Sequence, residues 1–507
     1  MNDTMKIEVL SKESIKPSSP TPDNVKTHSL SNLDQIFPPL YVDHLLYYPN
    51  LESNGSSLGD GEHGRNMIIS ASSRRRCDVL KQSLAETLTR YYPLAGRIKD
   101  EKSVECNDEG VDYIEARVVG KEVSQVMQLA SSDIEVMEPF LPHEPYGGTG
   151  SFRRAGLHSN SKALLKIQVN VFGCGGMVIC LAYSHKIVDA SSFASFVKDW
   201  TETARVAAVD KPCYIISSIF PPASFSDQEE KEPAEVQIVP DRIDILTKRF
   251  VFKDSSIAKL KKKCINVNAN NGSDKQIDKQ EHNMQQLPTR FEALTSFIWM
   301  CFMDVDLQSK AKQIDDAVSS VNVVSDPNQV QYVASFAINL RTRMIPPLPD
   351  NSFGNMTEGT FAEVSRNLTG SNLNSNGFHD QRQNYPELVS KIKDSIKSID
   401  NEHVKAMKSN FAISCNHMKM HQMLKEEAFN DDNKTFLMFS SWCRFPIYEA
   451  DFGWGKPNWA SISKLLYKNC VMFIDTSSGD GIEAWVSLKE EDMVEFERHE
   501  ELLALVS

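Results

Sequence analysis

At 507 residues the chain exceeds the length at which one hydrophobic core keeps growing, so two domains are expected. An apolar content of 41% with 24% charged residues is that of a globular protein, and a net charge of −13 speaks against a nucleic-acid groove as its main business. No run reaches the roughly 18 apolar residues that span a bilayer, residues 1–22 lack a signal-type apolar core, and ten scattered cysteines form no Cys-x-x-Cys. A cytosolic monomer with reduced thiols, and neither a membrane nor a nucleic acid as partner, is the expectation.

Ile15-Lys16-Pro17-Ser18-Ser19-Pro20-Thr21-Pro22 reads as an extended lead-in, because proline does not fit a helix interior. A helix is expected over Val79–Tyr91, with Leu80, Leu84 and Leu88 on one face and Arg74-Arg75-Arg76 ahead of it as a solvated charged end. Tyr92-Pro93-Leu94-Ala95-Gly96-Arg97 then ends it in a turn with apolar anchors. Further on, Ile167, Val169 and Val171 alternate with Lys166, Gln168 and Asn170, the period of a half-buried strand. Gly173-Cys174-Gly175-Gly176 interrupts the chain as a hairpin would. Met177 to Tyr183 is unbroken apolar sequence, which fits a strand buried on both faces or a short buried helix. Phe193, Phe196, Val197 and Trp200 recur at i, i+3, i+4 and i+7, an amphipathic helix.

Prolines and the charge run Asp227–Glu232 mark the stretch from Lys211 to Asp241 as a surface linker. The domains are accordingly expected at 1–215 and 241–507, joined by a crossover at 216–240. In the second half Thr289-Arg290-Phe291-Glu292 is a capping box before a face of Leu294, Phe297, Ile298 and Cys301. Polar, weakly patterned stretches at 266–287 and 366–385 read as exposed loops. Strand-like runs at Val318–Val324, Ala334–Leu340, Val471–Asp475 and Ile482–Leu488 interleave with the helices, which makes the protein α/β or α+β with mixed sheets.

Two motifs carry chemistry. Ser184-His185-Lys186-Ile187-Val188-Asp189 places a histidine where a buried strand ends and a loop leads into a helix. Histidine suits proton removal near neutral pH, since its ordinary pKa of about 6.5 leaves much of it neutral. Read alone, His185 is either such a base or a satisfied histidine at a strand end, with Asp189 a solvated loop residue. Asp451-Phe452-Gly453-Trp454-Gly455 pairs two glycines, which permit unusual turns, with two aromatics, one of them an indole N–H donor. Read alone it is either a functional loop or a structural turn with packed aromatics.

These motifs stand in one order with Tyr92–Arg97, Asn339-Leu340-Arg341, Pro346-Pro347-Leu348-Pro349 and Gly354-Asn355. The set resembles the plant BAHD acyltransferases over nearly the whole chain, with Ser441–Phe445, Asp451–Pro457 and Asp480–Trp485 nearest to the alkaloid-acylating branch. Two features depart from the family: the long polar insertion at 266–287, and Ser352 where the anthocyanin-type malonyl branch has tyrosine. The resemblance implies a two-domain, chloramphenicol-acetyltransferase-like α/β fold with a solvent channel between the domains. It implies acyl-CoA as co-substrate, a small-molecule alcohol as acceptor, and no permanently bound cofactor. His185 would be the general base and Trp454 a donor to the developing oxyanion. Asp189, grouped with them at the catalytic site, would point away and pair with Arg341. Asp451, Gly453 and Gly455 would give structural support. The acyl group it favours is acetyl, on a monoterpenoid indole alkaloid hydroxyl; malonyl or another acyl group on a different alcohol, or an inactive binding protein of the same fold, are the alternatives. It assigns no residues to CoA.

Other constellations are weaker. His417 and His421 have i, i+4 spacing but no third ligand, so no metal is expected. Lys259, Lys261, Lys262 and Lys263 fit either the phosphates of CoA or a solvated helix face. An esterase using Ser184 or a cysteine near His185 is disfavoured because no Gly-x-Ser-x-Gly elbow is present.

Overall fold

The structure, a computed structural model, describes residues 5–50, 70–143, 162–223, 245–265, 287–318, 329–367, 385–419, 434–465 and 467–506. The chain forms two compact units. One comprises Met1–Asp241, Asn339–Thr357 and Arg444–Leu466; the other comprises Arg242–Ile338, Glu358–Cys443 and Tyr467–Ser507. Composition suggests a single break at 216–240, yet two segments of the second half belong to the first unit. Composition is blind to such returns because they are made by tertiary pairing. The expected linker also begins tied down: Ile216 and Phe220 are buried, and Cys213 N–H donates to Asn351 O at 2.9 Å. Its remainder, 224–240, lies outside the described residues, as do 266–286 of the polar insertion and 368–384 of the second polar loop.

The first eight strands are β1 (Lys6–Ile15), β2 (Thr27–Ser29), β3 (Tyr41–Tyr48), β4 (Arg97–Asp100), β5 (Ser103–Glu105), β6 (Val111–Val119), β7 (Leu165–Phe172) and β8 (Met177–Ser184). The rest are β9 (Ile245–Lys253), β10 (Gln329–Asn339), β11 (Thr357–Asn367), β12 (Lys434–Ser441), β13 (Trp459–Ile462), β14 (Cys470–Asp475) and β15 (Gly481–Lys489). The main sheet of the first unit has the order β1-β6-β7-β8-β3-β13, with a small β2-β5-β4 sheet beside it in sequence. In the second unit the order is β11-β10-β12-β14-β15-β9, mixing parallel β10-β12-β14 pairing with antiparallel β14-β15-β9.

β8 is buried at every position, as its unbroken apolar run suggests. β7 is not half-buried, although its residues alternate. Lys166, Gln168 and Asn170 are 2%, 4% and 0% exposed: the segment Ile134–Phe140 supplies acceptors to Gln168 and Asn170, and the Lys166 ammonium lies over the Tyr41 ring at 4.5 Å. Gln168 Nε2 donates to Pro139 O at 3.1 Å and to Asn170 Oδ1 at 2.8 Å; Asn170 Nδ2 donates to Val178 O at 3.2 Å. Polar residues survive burial when each finds a partner.

The early helix spans Ala71–Arg90, starting two turns before the apolar stripe suggests. Ser70 caps it by accepting Ser73 N–H, so Arg74-Arg75-Arg76 lies inside the helix, where arginine is a good former. The helix Ala190–Ala204 packs on it through Trp200, whose Nε1–H donates to Ser83 Oγ at 3.0 Å. In the second unit the capping box is formed: Thr289 N–H donates to Glu292 Oε2 at 2.8 Å and Glu292 N–H to Thr289 Oγ1 at 3.1 Å. That helix, Arg290–Val318, runs through the start of the strand expected at Val318–Val324, whose other residues lie outside the described ones. No helix among the described residues is long and apolar enough to cross a membrane.

Candidate active site

His185 directly follows β8. Its backbone N–H continues the strand pairing by donating to Leu40 O at 2.9 Å, which anchors the residue to the end of β3. Phe37 lies flat against the imidazole, with ring centroids 4.3 Å apart and planes 6° apart. Ring Nδ1 faces Asn355 Oδ1 at 3.1 Å, and Asn355 Nδ2–H donates to the carbonyl of His185 at 2.9 Å. Because the amide nitrogen is committed to that carbonyl, Oδ1 is the atom left for the ring and can only accept. Nδ1 therefore carries the proton and Nε2 keeps its lone pair. Burial pushes the His185 pKa below the ordinary value, outweighing its hydrogen bonds and the nearby carboxylates of Asp189 and Asp34, which favour the charged ring. Burial and the bond to Asn355 thus both favour the neutral ring with its lone pair on Nε2.

Asp189 does not touch that ring in any hydrogen bond. It is the N-cap of Ala190–Ala204, with Oδ1 accepting Ser192 N–H at 2.8 Å. Oδ2 accepts Arg341 Nη1–H at 2.7 Å and Met356 N–H at 2.9 Å, and Oδ1 also accepts Arg341 Nη2–H at 3.1 Å. Burial opposes ionisation of Asp189, but Arg341 and these hydrogen bonds win and hold its carboxyl below the usual range. Arg341, 0% exposed, also donates to the carbonyls of Ser352 and Gly354. The pair thus fastens the loop after β8 to the segment 352–356, which carries Asn355.

Trp454 lies elsewhere. β13 pairs antiparallel with β3, Trp459 opposite Tyr47, so the chain preceding β13 emerges at the Tyr48 end of β3. Trp454 stacks on Phe452 at 5.5 Å and meets Tyr48 edge-on at 6.4 Å. Tyr48 pairs with Met177 and Tyr41 with Ser184, so seven residues of strand, about 23 Å, separate Trp454's neighbour from the histidine end. Trp454 is not placed to donate to an oxyanion at His185. Its loop is a built turn: Asp451 Oδ1 accepts the N–H groups of Gly453 and Gly455 at 2.8 and 2.9 Å. Both glycines have positive φ, +104° and +105°, and Phe452 plugs against Trp200 at 4.8 Å.

Ser184 and Cys180 offer no nucleophile, since both are buried and burial raises the Cys180 thiol well above its ordinary pKa. In the second unit His417 is buried and its backbone N–H donates to Glu358 Oε1 at 3.0 Å, while His421 lies outside the described residues. Among the described residues no group of three or more His, Cys, Asp or Glu is arranged to hold a metal. Lys259 and Lys261–Lys263 lie on the helix Asp254–Lys263 in the second unit. Asn355 and Phe37 are the site residues that sequence patterns did not single out; the Gly354-Asn355 block was visible, its bond to His185 was not.

The profile of the transferase family matches residues 66–503. The chain is 33% identical to limonoid 1-O-acetyltransferase of Citrus sinensis, over 99% of each chain. It is also 33% identical to stemmadenine O-acetyltransferase of Catharanthus roseus, over 96% of this chain and 95% of that one. The crystal structure of vinorine synthase superposes with a TM-score of 0.70 at 30% identity, covering 99% of each chain.

Proposed function

This chain belongs to the plant BAHD acyltransferases of the transferase family, and on that premise we propose that His185 is the general base for acetyl transfer from acetyl-CoA to an alcohol. The enzyme is an acyl-CoA-dependent acyltransferase acting on a plant specialised metabolite. The observation that carries the catalytic reading is the bond between His185 Nδ1 and Asn355 Oδ1, which leaves Nε2 as the proton acceptor. Nε2 takes the hydroxyl proton as the alcohol oxygen attacks the thioester carbonyl. The carbon–oxygen bond forms, the carbon–sulfur bond breaks, and the imidazolium returns its proton to the departing CoA thiolate. A positioned base contributes typically ~10²- to 10⁴-fold, and the juxtaposition of the two substrates supplies more.

Acetyl as the acyl group is supported by relatives named as acetyltransferases. Those relatives divide between limonoid and alkaloid acceptors, which widens the acceptor from an indole alkaloid to a hydroxyl on either skeleton. The enzyme works as a cytosolic monomer. Incubating purified protein with acetyl-CoA and separate panels of limonoid and alkaloid alcohols, while following free thiol, tests the reading. Thiol release with one panel, lost in His185→Ala, supports it; malonyl-CoA outcompeting acetyl-CoA, or no turnover with either panel, overturns it.

A further inference from the structure

The carboxylate of the H-x-x-x-D spacing is spent on Arg341, yet a second carboxylate reaches His185 from far upstream. Asp34 lies in the single helical turn Asn32–Ile36, capped by Ser31, and is 3% exposed. Its Oδ1 accepts both the backbone N–H of Asn355 at 2.8 Å and its Nδ2–H at 2.9 Å. Its Oδ2 accepts Ser31 N–H at 2.7 Å and Ser31 O–H at 2.6 Å. A carboxyl group ringed by four donors is held as the acceptor-only, ionised form. Burial raises the Asp34 pKa above the ordinary carboxylate value, and the same four bonds oppose that rise without cancelling it; the ionised form is read from the four donors around it.

Two acceptors, Asp34 Oδ1 and the carbonyl of His185, claim the two Nδ2 protons of Asn355. Turning the amide over would set its oxygen against both of them. The ring charges are equally telling. Around the imidazole stand Asp189, neutralised by Arg341; Lys186, whose Nζ donates to Gln35 O at 2.9 Å; the apolar face of Phe37; and Asp34 across Asn355. Asp34 makes its four bonds to Ser31 and Asn355 rather than to a guanidinium, and it acts through space on both the Lys186 ammonium and the ring.

We propose that Asp34, acting through Asn355, is the positioning carboxylate of His185: it locks the Nδ1–H tautomer and opposes the positive charge that the ring acquires during transfer. Asp189 then fastens the loop and acts on the ring through space alone, with no hydrogen-bonded path to it. The inference rests on His185 being the base. A carboxylate that acts through an orienting group changes rate more than binding, because the imidazolium exists only as transfer proceeds.

The test uses the full chain, as parent, Asp34→Asn, Asn355→Ala, the double variant and His185→Ala. Asp34→Asn keeps the shape and an acceptor oxygen but removes the charge. It is expected to lower kcat at least ~10-fold with KM for acetyl-CoA within about twofold. The His185 ring titration, followed by NMR, moves down by roughly one pH unit, as does the acidic limb of kcat/KM. Combined with Asn355→Ala, Asp34→Asn adds little further loss. Parental kcat and an unmoved titration in Asp34→Asn, alongside an inactive His185→Ala, overturn the role of Asp34 alone. Activity retained by His185→Ala removes the base reading instead. If Asp34→Asn does not fold, the parent decides by its ring nitrogens: an Nδ1–H tautomer that is lost in Asn355→Ala supports the relay, and an Nε2–H tautomer in the parent refutes it.

Discussion

Arg341 Nη1 and Asp189 Oδ2 meet at 2.7 Å with side chains 0% and 1% exposed, joining residues 152 positions apart in one unit. Removing either partner strands a buried charge, at a cost of ~3–5 kcal/mol. Asp189→Ala and Arg341→Ala should therefore each lose about that much, while the double variant loses far less than the sum. Urea denaturation of all three measures it; simple additivity would mean the two charges are not coupled.

His185→Ala should lower kcat/KM by at least ~10²-fold with the melting temperature almost unchanged, since the ring's hydrogen bonds are few. Steady-state rates on protein shown to be folded by circular dichroism decide it, and a loss of only a few-fold would take the base role from His185.

The pH profile follows from burial of the imidazole. Because the His185 pKa lies below its ordinary value of 6.5, the neutral base persists as pH falls. kcat/KM should be flat through pH 7 and decline only below the ordinary histidine range, its acidic limb following protonation of Nε2. A limb centred above about 6.5 would contradict a desolvated base.

Trp454→Phe should leave kcat within about threefold, because the indole packs at the Tyr48 end of β3. Gly453→Ala, in contrast, forces a side chain into φ +104° and should cost ~1–2 kcal/mol of stability. Parallel rate and melting measurements separate the two, and a large fall in kcat for Trp454→Phe would return the indole to the chemistry.

No acyl-enzyme should form, since Ser184 and Cys180 are buried and, among the described residues, His185 Nδ1 is bonded to Asn355 and not to a hydroxyl or thiol. Initial-rate lines for acyl-CoA and alcohol should intersect; parallel lines, or an acetyl adduct seen by intact-protein mass spectrometry with acetyl-CoA alone, would indicate a covalent step.

The elements whose cause is local were legible in the chain itself. The apolar run of β8, the capping box at Thr289 and the stripe of Phe193, Phe196, Val197 and Trp200 each depend on neighbours within a turn or a pleat, so their spacing suffices. The order of motifs likewise pointed to the family and to His185. What the tertiary structure alone decided is everything that depends on which distant residue arrives where. Gln168 and Asn170 are buried against Pro139 and Phe140, and Lys166 against Tyr41. Trp454 is removed from the histidine because β13 pairs with the Tyr48 half of β3. Asp189, four residues from His185, serves Arg341, whereas Asp34, 151 residues away in sequence, reaches the ring through Asn355. Hydrogen bonds and charges act over a few ångströms of space, and sequence separation does not measure that distance.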